Sequence, residues 1–307
     1  MTISYLITGG AGFIGSHLAD YLIDQGHRVT IFDDLSSGKI SNINSKCNFI
    51  QGCITDVKTL KSALKDIDYC YHLAAIASIQ ESMQNWEWCN RVNFLGSLNV
   101  FLLASSLNIP VIFASSAAVY GVPKFAPIAE TSSICPISPY GLDKYSSEFQ
   151  AKLLSDIRGL KCVALRFFNV YGSRQDPCSE YSGVISKFID RINRSLPLHI
   201  YGDGKQERDF IFVSDVVQAL YKSQKYLDSN RYGVFNLCTG IGSNINDLAQ
   251  KLFSIHRCNN EISYKEARSC DIYQSIGNAS KLQKYLGLKA NISLADGLKT
   301  LCLSQNK

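Results

Sequence analysis

Thr8-Gly9-Gly10-Ala11-Gly12-Phe13-Ile14-Gly15 is the stretch on which the reading of this chain turns. It follows a short apolar run at 5–8 and opens an amphipathic stretch at 15–25, so it lies at a strand-to-helix junction. Gly9, Gly12 and Gly15 have the G-x-x-G-x-x-G spacing. A turn of that kind lets a backbone approach closely and points a helix N-terminus, with free N–H groups and a positive dipole end, at an anion. Glycines alone also serve ordinary turns. At the first β-α junction of an alternating chain, however, the pattern marks a pyrophosphate cradle.

The alternation is present. Apolar runs at 5–8, 29–32, 49–50, 69–73, 111–114 and 162–168 read as buried strands, and 15–25, 57–65, 89–107 and 140–157 read as helices. This order predicts an α/β fold, a Rossmann-type doubly wound parallel sheet with right-handed crossovers and helices on both faces. After about residue 170 the rhythm becomes irregular, with loops rich in Gly, Pro, Ser and Asp at 173–183 and 201–208. We therefore expect a dinucleotide-binding domain over 1–168 and a smaller C-terminal α/β substrate-binding domain over 169–307, with segments of the latter returning to the first.

Composition removes several function classes. The 307 residues are 46% hydrophobic and 19% charged, ordinary values for a globular protein. No apolar run reaches the roughly 20 residues that span a bilayer, and the first residues run straight into a strand with no secretory leader, so the expected place is the cytoplasm. The net charge of +5 is dispersed, without a basic tract for nucleic acid or a membrane. None of the eleven cysteines is spaced C-x-x-C, which argues against a zinc site or other metal centre and against a disulfide framework.

The end of the second strand carries Asp33-Asp34, with Asp33 18 residues after Gly15. A carboxylate there suits an adenosine ribose and repels a 2′-phosphate, favouring NAD over NADP; a loop-capping Asp is the plain alternative. Asp56 follows the third strand and suits either the adenine edge or a helix N-cap. Tyr140 and Lys144 stand four residues apart on one helix face. A free phenol, with a pKa near 10, is a poor base at neutral pH. A neighbouring ammonium and the positive nicotinamide ring are expected to favour the phenolate. Such a Tyr can take a hydroxyl proton while the same carbon is oxidised. Ser116, 24 residues upstream at the end of a predicted strand, is placed to hydrogen-bond the reacting oxygen.

In order, TGGAGFIG, HLAA (72–75), SSAAVYG, YGLDK, RFFNVYG (166–172) and GDGKQERDFIFVSDV (202–216) resemble the extended short-chain dehydrogenase/reductase superfamily, and within it the UDP-sugar 4-epimerases. The resemblance runs from Thr8 to about Leu298. It implies a catalytic triad of Ser116, Tyr140 and Lys144. It also implies NAD-contacting or site-framing positions at Gly9, Gly12, Phe13, Ile14, Gly15, Asp33, Asp34, Ser37, Gly38, Asp56, Leu73, Ala74, Ala75, Asn93, Tyr140, Lys144 and Phe168. For the UDP-sugar it implies Ser116, Asn169, Val184, His199, Tyr201, Arg208, Arg268, Asp271 and Ser275, with Arg208 and Arg268 gripping phosphate. The implied reaction is redox-neutral, through a 4-keto sugar that turns over in the site.

Ser275 matches the family's size gate, where a bulky Tyr restricts the site and a small residue leaves room for a 2-acetamido group. That points to UDP-GlcNAc and UDP-GalNAc. Cys53, Cys270 and the Gly277-Asn278 pair depart from the family's usual residues and bear on the loop around the gate. Related 4,6-dehydratases and decarboxylases need an acid between the Ser and the VYG, where this chain has Ala117-Ala118. A reductase and a non-catalytic dinucleotide-binding protein are the remaining alternatives, the latter typically lacking the Tyr or Lys. The resemblance also implies a homodimer built on the helices at 89–107 and 140–157.

Overall fold

A computed structural model describes residues 2–176, 183–267 and 272–305. The first six strands are β1 (Ser4–Thr8), β2 (Arg28–Asp33), β3 (Asn48–Gln51), β4 (Tyr69–His72), β5 (Val111–Ser116) and β6 (Cys162–Phe167). They are followed by β7 (Asn169–Tyr171), β8 (Leu198–Tyr201), β9 (Glu207–Phe212), β10 (Tyr232–Leu237), β11 (Gly242–Asn244), β12 (Ile262–Lys265) and β13 (Gln274–Ser275). The main sheet is parallel, in the order β10-β6-β5-β4-β1-β2-β3. The order reverses between β1 and β4, and ligands of open α/β sheets bind at the carboxyl ends of strands flanking such a point.

The near-continuous apolar runs are explained by burial on both faces. Along β1, Tyr5 and Ile7 enter one core with Leu18, Leu22, Val216 and Leu220. Leu6, between them, enters the opposite core with Phe32, Phe101, Phe113, Ala151 and Leu154. Six strands fall close to the segments read from the sequence. The seventh, β10, comes from the irregular second half and closes the sheet's outer edge against β6.

The helix Pro139–Arg158 starts on Ser138, whose side chain accepts from Gly141 N–H, and stops at Gly159 in the left-handed region, φ 72°. Its buried stripe includes Lys144 and Glu148 among Gly141, Ser147, Ala151 and Leu154. The helix expected over 89–107 is instead three pieces: Trp86–Asn90, a π-helical turn Arg91–Gly96, and Ser97–Ser106. The wide turn holds Asn93, whose side-chain amide bonds both backbone groups of Ile76, at 2.8 and 3.1 Å.

Beyond the main sheet, β9 pairs with β7, β11 and β13, and β8 pairs with β12. These small sheets share a core of Tyr171, Phe188, Ile200, Phe210, Leu248, Leu252 and Leu298 with the helices Val184–Asn193, Ile245–His256 and Leu294–Gln305.

Candidate active site

At the β1–helix junction the backbone is packed to its limit. Gly9 has φ 73°, and a Cβ on it would lie 2.7 Å from Ala74 N. A Cβ on Gly15 would lie 2.3 Å from Gly9 O, so the helix Phe13–Asp24 can sit this close only with glycine there. No side chain caps that helix at Gly12. Its first N–H groups are thus left to a ligand, and a diphosphate fits the cradle.

Asp33, 7% exposed, braces the cradle: Oδ2 accepts from Ala11 N–H at 2.9 Å and Oδ1 from Leu35 N–H at 2.8 Å. Each oxygen retains a lone pair for a sugar hydroxyl. Burial raises its pKa, against the pull of the two N–H groups. Gly38 packs against Asp33 and Ala11, Ser37 is exposed beside it, and Asp34 accepts from the backbone and hydroxyl of Ser36. Leu73, Ala74 and Ala75 follow β4 directly, with Ala74 N–H donating to Thr8 Oγ1. Phe168 is buried just past β6. Asp56 caps the helix Val57–Ala63 through Lys58 and Thr59 N–H, the N-cap geometry that its position allowed.

Ser116 ends β5 and accepts from Ala118 N–H, capping a short 3-10 turn, Ala117–Tyr120. Tyr140, half-buried in the first turn of its helix, has its backbone N–H on Ser82 Oγ at 3.2 Å. The Lys144 ammonium is buried, 5.8 Å from the Tyr140 ring centroid and 4.9 Å from that of Phe113. The expected lowering of the phenol is not supplied by the protein groups alone. Burial pushes Tyr140 up to about 12, and the hydrogen bond with Ser116 only partly opposes it. Lys144 is itself held down to about 8 by burial, with Asp143 and Glu148 pulling upward.

On the sugar side the structure brings three expected residues into one sheet. Arg208 on β9 is in register with Ser275 on β13, and Asn169 opens β7, which pairs with the same β9. Val184 opens the helix Val184–Asn193. His199 and Tyr201 lie on β8, in the two-stranded sheet, with His199 Nε2 3.1 Å from Arg191 Nη2. Arg268 and Asp271 lie outside the described residues.

Three features involve residues inside the quoted motifs to which the sequence assigned no role. His72, fully buried, spans Thr8 Oγ1 and Ser97 Oγ at 2.8 and 2.9 Å. Asp209, also fully buried, accepts from Thr239 N–H and Oγ, Gly240 N–H and Gly277 N–H, and so latches two loops to β9. Glu148 and Arg166 form a buried ion pair at 2.7 Å that joins the helix Pro139–Arg158 to β6. The local clues were these motif positions and Glu148, four residues beyond Lys144 on the same face.

Comparison with known proteins agrees with this geometry. Residues 5–238 match the NAD dependent epimerase/dehydratase family. A UDP-glucose 4-epimerase from Thermotoga maritima, solved with UDP-glucose, superposes with a TM-score of 0.95 at 36% identity, covering 99% of both chains. A UDP-N-acetylglucosamine 4-epimerase from Methanobrevibacter ruminantium, in complex with UDP-N-acetylmuramic acid, gives 0.94 at 38% identity over 99% of this chain and 100% of the other. The UDP-glucose 4-epimerase of Mycolicibacterium smegmatis is 31% identical over 98% of each chain. A glycine cradle at the sheet's switch point, a Ser-Tyr-Lys cluster beside it and this family match lead to one conclusion: the chain belongs to the NAD dependent epimerase/dehydratase family, as an extended short-chain dehydrogenase/reductase of the epimerase type.

Proposed function

We propose that this protein interconverts the C4 epimers of a UDP-hexose through a transient 4-keto sugar, with UDP-GlcNAc and UDP-GalNAc as the preferred pair. The observation that carries the reaction type is the cluster of Ser116, Tyr140 and Lys144 at the carboxyl edge of the sheet, beside a turn, Ala117–Tyr120, that contains no acid. Decarboxylases and a dehydratase stand among the relatives, and chemistry of that kind needs an acid near the reacting carbons.

The Gly9–Gly15 turn and Asp33 would hold NAD, with Phe168 and the 73–75 segment as walls. Bound NAD supplies a reversible two-electron acceptor for the sugar carbon. The chain's own residues handle the proton and the orientation. Ser116 steadies the reacting oxygen, and Tyr140 takes its proton. Lys144 keeps positive charge near the phenol, and only together with the positive nicotinamide ring of bound NAD would it offset the burial that disfavours phenolate. Tyr140 would return the proton to the oxygen as the 4-keto sugar, having turned over to present its other face to the bound cofactor, is reduced again, and reduction from that face gives the opposite configuration. Arg208 would anchor the diphosphate with Asn169, so that the sugar can turn while the nucleotide stays.

Ser275 supports the N-acetyl preference, being small and in register with Arg208. We also propose a cytoplasmic homodimer. The helices Trp86–Asn90 and Pro139–Arg158 leave Trp86, Trp88, Phe149, Leu153 and Ile157 exposed, an apolar face suited to a two-fold mate.

The test is to incubate the purified protein, without added cofactor, with UDP-GlcNAc and separately with UDP-glucose, following the 4-epimers by proton NMR. Formation of UDP-GalNAc is expected. Conversion of UDP-glucose alone would retain the chemistry and sink the gate. Stoichiometric consumption of NADH or NADPH would instead identify a reductase.

A further inference from the structure

An unbroken chain of buried polar groups runs from the catalytic helix to the Ser275 strand. Arg166 and Glu148, each with a side chain 4% exposed, make two bonds, Nη2 to Oε2 at 2.7 Å and Nε to Oε1 at 2.9 Å. Ser115, next to the catalytic serine, donates its hydroxyl to the same Glu148 carboxylate. Arg166 Nη1 donates to the Tyr120 hydroxyl at 2.8 Å, and Tyr120 belongs to the turn that Ser116 caps. The Tyr120 hydroxyl donates to Asn236 Oδ1 at 2.6 Å. Asn236 Nδ2 donates to Ile128 O at 2.8 Å, and Asn236 N–H to Glu130 Oε1 at 2.8 Å. Ile128 is then bonded on both sides to the segment that follows Ser275: its N–H donates to Ile276 O and its O accepts from Asn278 N–H, both at 2.8 Å.

A buried ion pair gives little net stability over well-packed apolar side chains, so stability alone does not account for this arrangement. Packing makes it a rigid link. Val119, Tyr120, Ile128, Phe168 and Cys238 form one apolar cluster around it. A Cβ on Gly277 would lie 2.5 Å from Cys238 Sγ and 2.7 Å from Phe168 Cζ. The segment after Ser275 is therefore closely packed against Phe168 and Cys238, with little room to move independently of them. Asn236 is the joint, since its single amide holds the turn with its oxygen and the Ile128 segment with its nitrogen.

We propose that Asn236 is a positioning residue that fixes the spacing between the Ser116 turn and the Ser275 strand, making it a second determinant of the sugar size accepted, without contact with the sugar. This rests on the epimerase reading above.

The test measures kcat/KM for UDP-GlcNAc and UDP-glucose in wild type, Asn236→Ala, Ser275→Tyr and the double variant. Asn236→Ala is expected to change the ratio of the two sugars at least about fivefold, and to do so much less in the Ser275→Tyr background, a non-additivity that coupled residues show. If both sugars fall by the same factor and the ratio stays within about twofold, Asn236 is a structural residue only and the proposal fails. Tyr120→Phe keeps the ring stacked under Arg166, 4.8 Å from the guanidinium, but cuts the bond to Asn236. Its ratio should move in the same direction, and it decides the matter if Asn236→Ala does not fold. A wild type that converts only UDP-glucose overturns the gate and this role with it. One that converts neither sugar overturns the epimerase reading itself, and does so before any variant is needed.

Discussion

The dinucleotide cradle and the sugar side of the cleft are held in place by different physics. In the cradle, backbone meets backbone: Gly15, in the first helix, lies under Gly9 O, and Gly9 lies against Ala74, these two following β1 and β4, which are neighbours in the parallel sheet. On the sugar side, short strands from distant parts of the chain are tied together by buried polar side chains such as Asp209 and Asn236. Close backbone contact tolerates no added atom, whereas polar ties tolerate a change of volume better than a change of donor or acceptor. A rigid cofactor platform beside a retunable sugar wall is what a family that varies its sugar requires.

Tyr140→Phe probes the seam between the two and should have the largest effect. Removing a general base typically costs 10²–10⁴-fold in rate, so kcat should fall by about that factor. The amount of NAD that copurifies should stay as in wild type. Loss of NAD along with activity would show that Tyr140 also holds the cradle together, and the division would fail.

Next in size is a matched pair. Gly15→Ala puts a methyl 2.3 Å from Gly9 O and should cost about 1–3 kcal/mol in urea unfolding, the usual range for overpacking. NAD content should drop with it. Ser275→Tyr, on a partly exposed two-residue strand, should change stability by less than about 0.5 kcal/mol while depressing turnover of UDP-GlcNAc. Equal stability losses in the two variants would erase the contrast between platform and wall.

The same division explains what could be read without a structure. The Gly9–Gly15 turn, the six strands and the Tyr140–Lys144 pair are local patterns, with period and spacing that survive in a linear string. The seventh strand, β10, is only a short apolar run until β6 supplies its partner. The π-helical turn at Arg91–Gly96 carries Asn93, whose partner Ile76 lies 17 residues away, a contact with no trace in the local pattern. The polar chain behind the site joins residues 18, 46 and 116 positions apart, separations with no sequence period. The rise of the Tyr140 phenol was missed for a related reason, because the Lys144 charge is visible in the motif and the desolvation around it is not.

The smallest effect concerns His72, which ties β1 to the helix that follows the π-helical turn. Burial, and then the charge of Lys144, hold its imidazole down to about 3, against an ordinary value of 6.5. The folded protein therefore refuses a proton that the unfolded chain accepts below about pH 6.5. Its contribution to stability is complete above that pH and is lost progressively as pH falls toward 3. At pH 5.5 the loss relative to pH 7 is about 1 kcal/mol. His72→Gln has no such titration. It will start from a lower stability at pH 7, because the bridge between Thr8 and Ser97 is imperfectly replaced, but it should lose about 1 kcal/mol less than wild type between pH 7 and 5.5. Asp209, the latch on the sugar side, is shifted in the opposite sense for an acid sensor: burial raises its carboxyl, so protonation relieves a desolvated charge there. An equal acid loss in wild type and His72→Gln would mean that the pH response arises from other groups, and His72 would count as a packing residue alone.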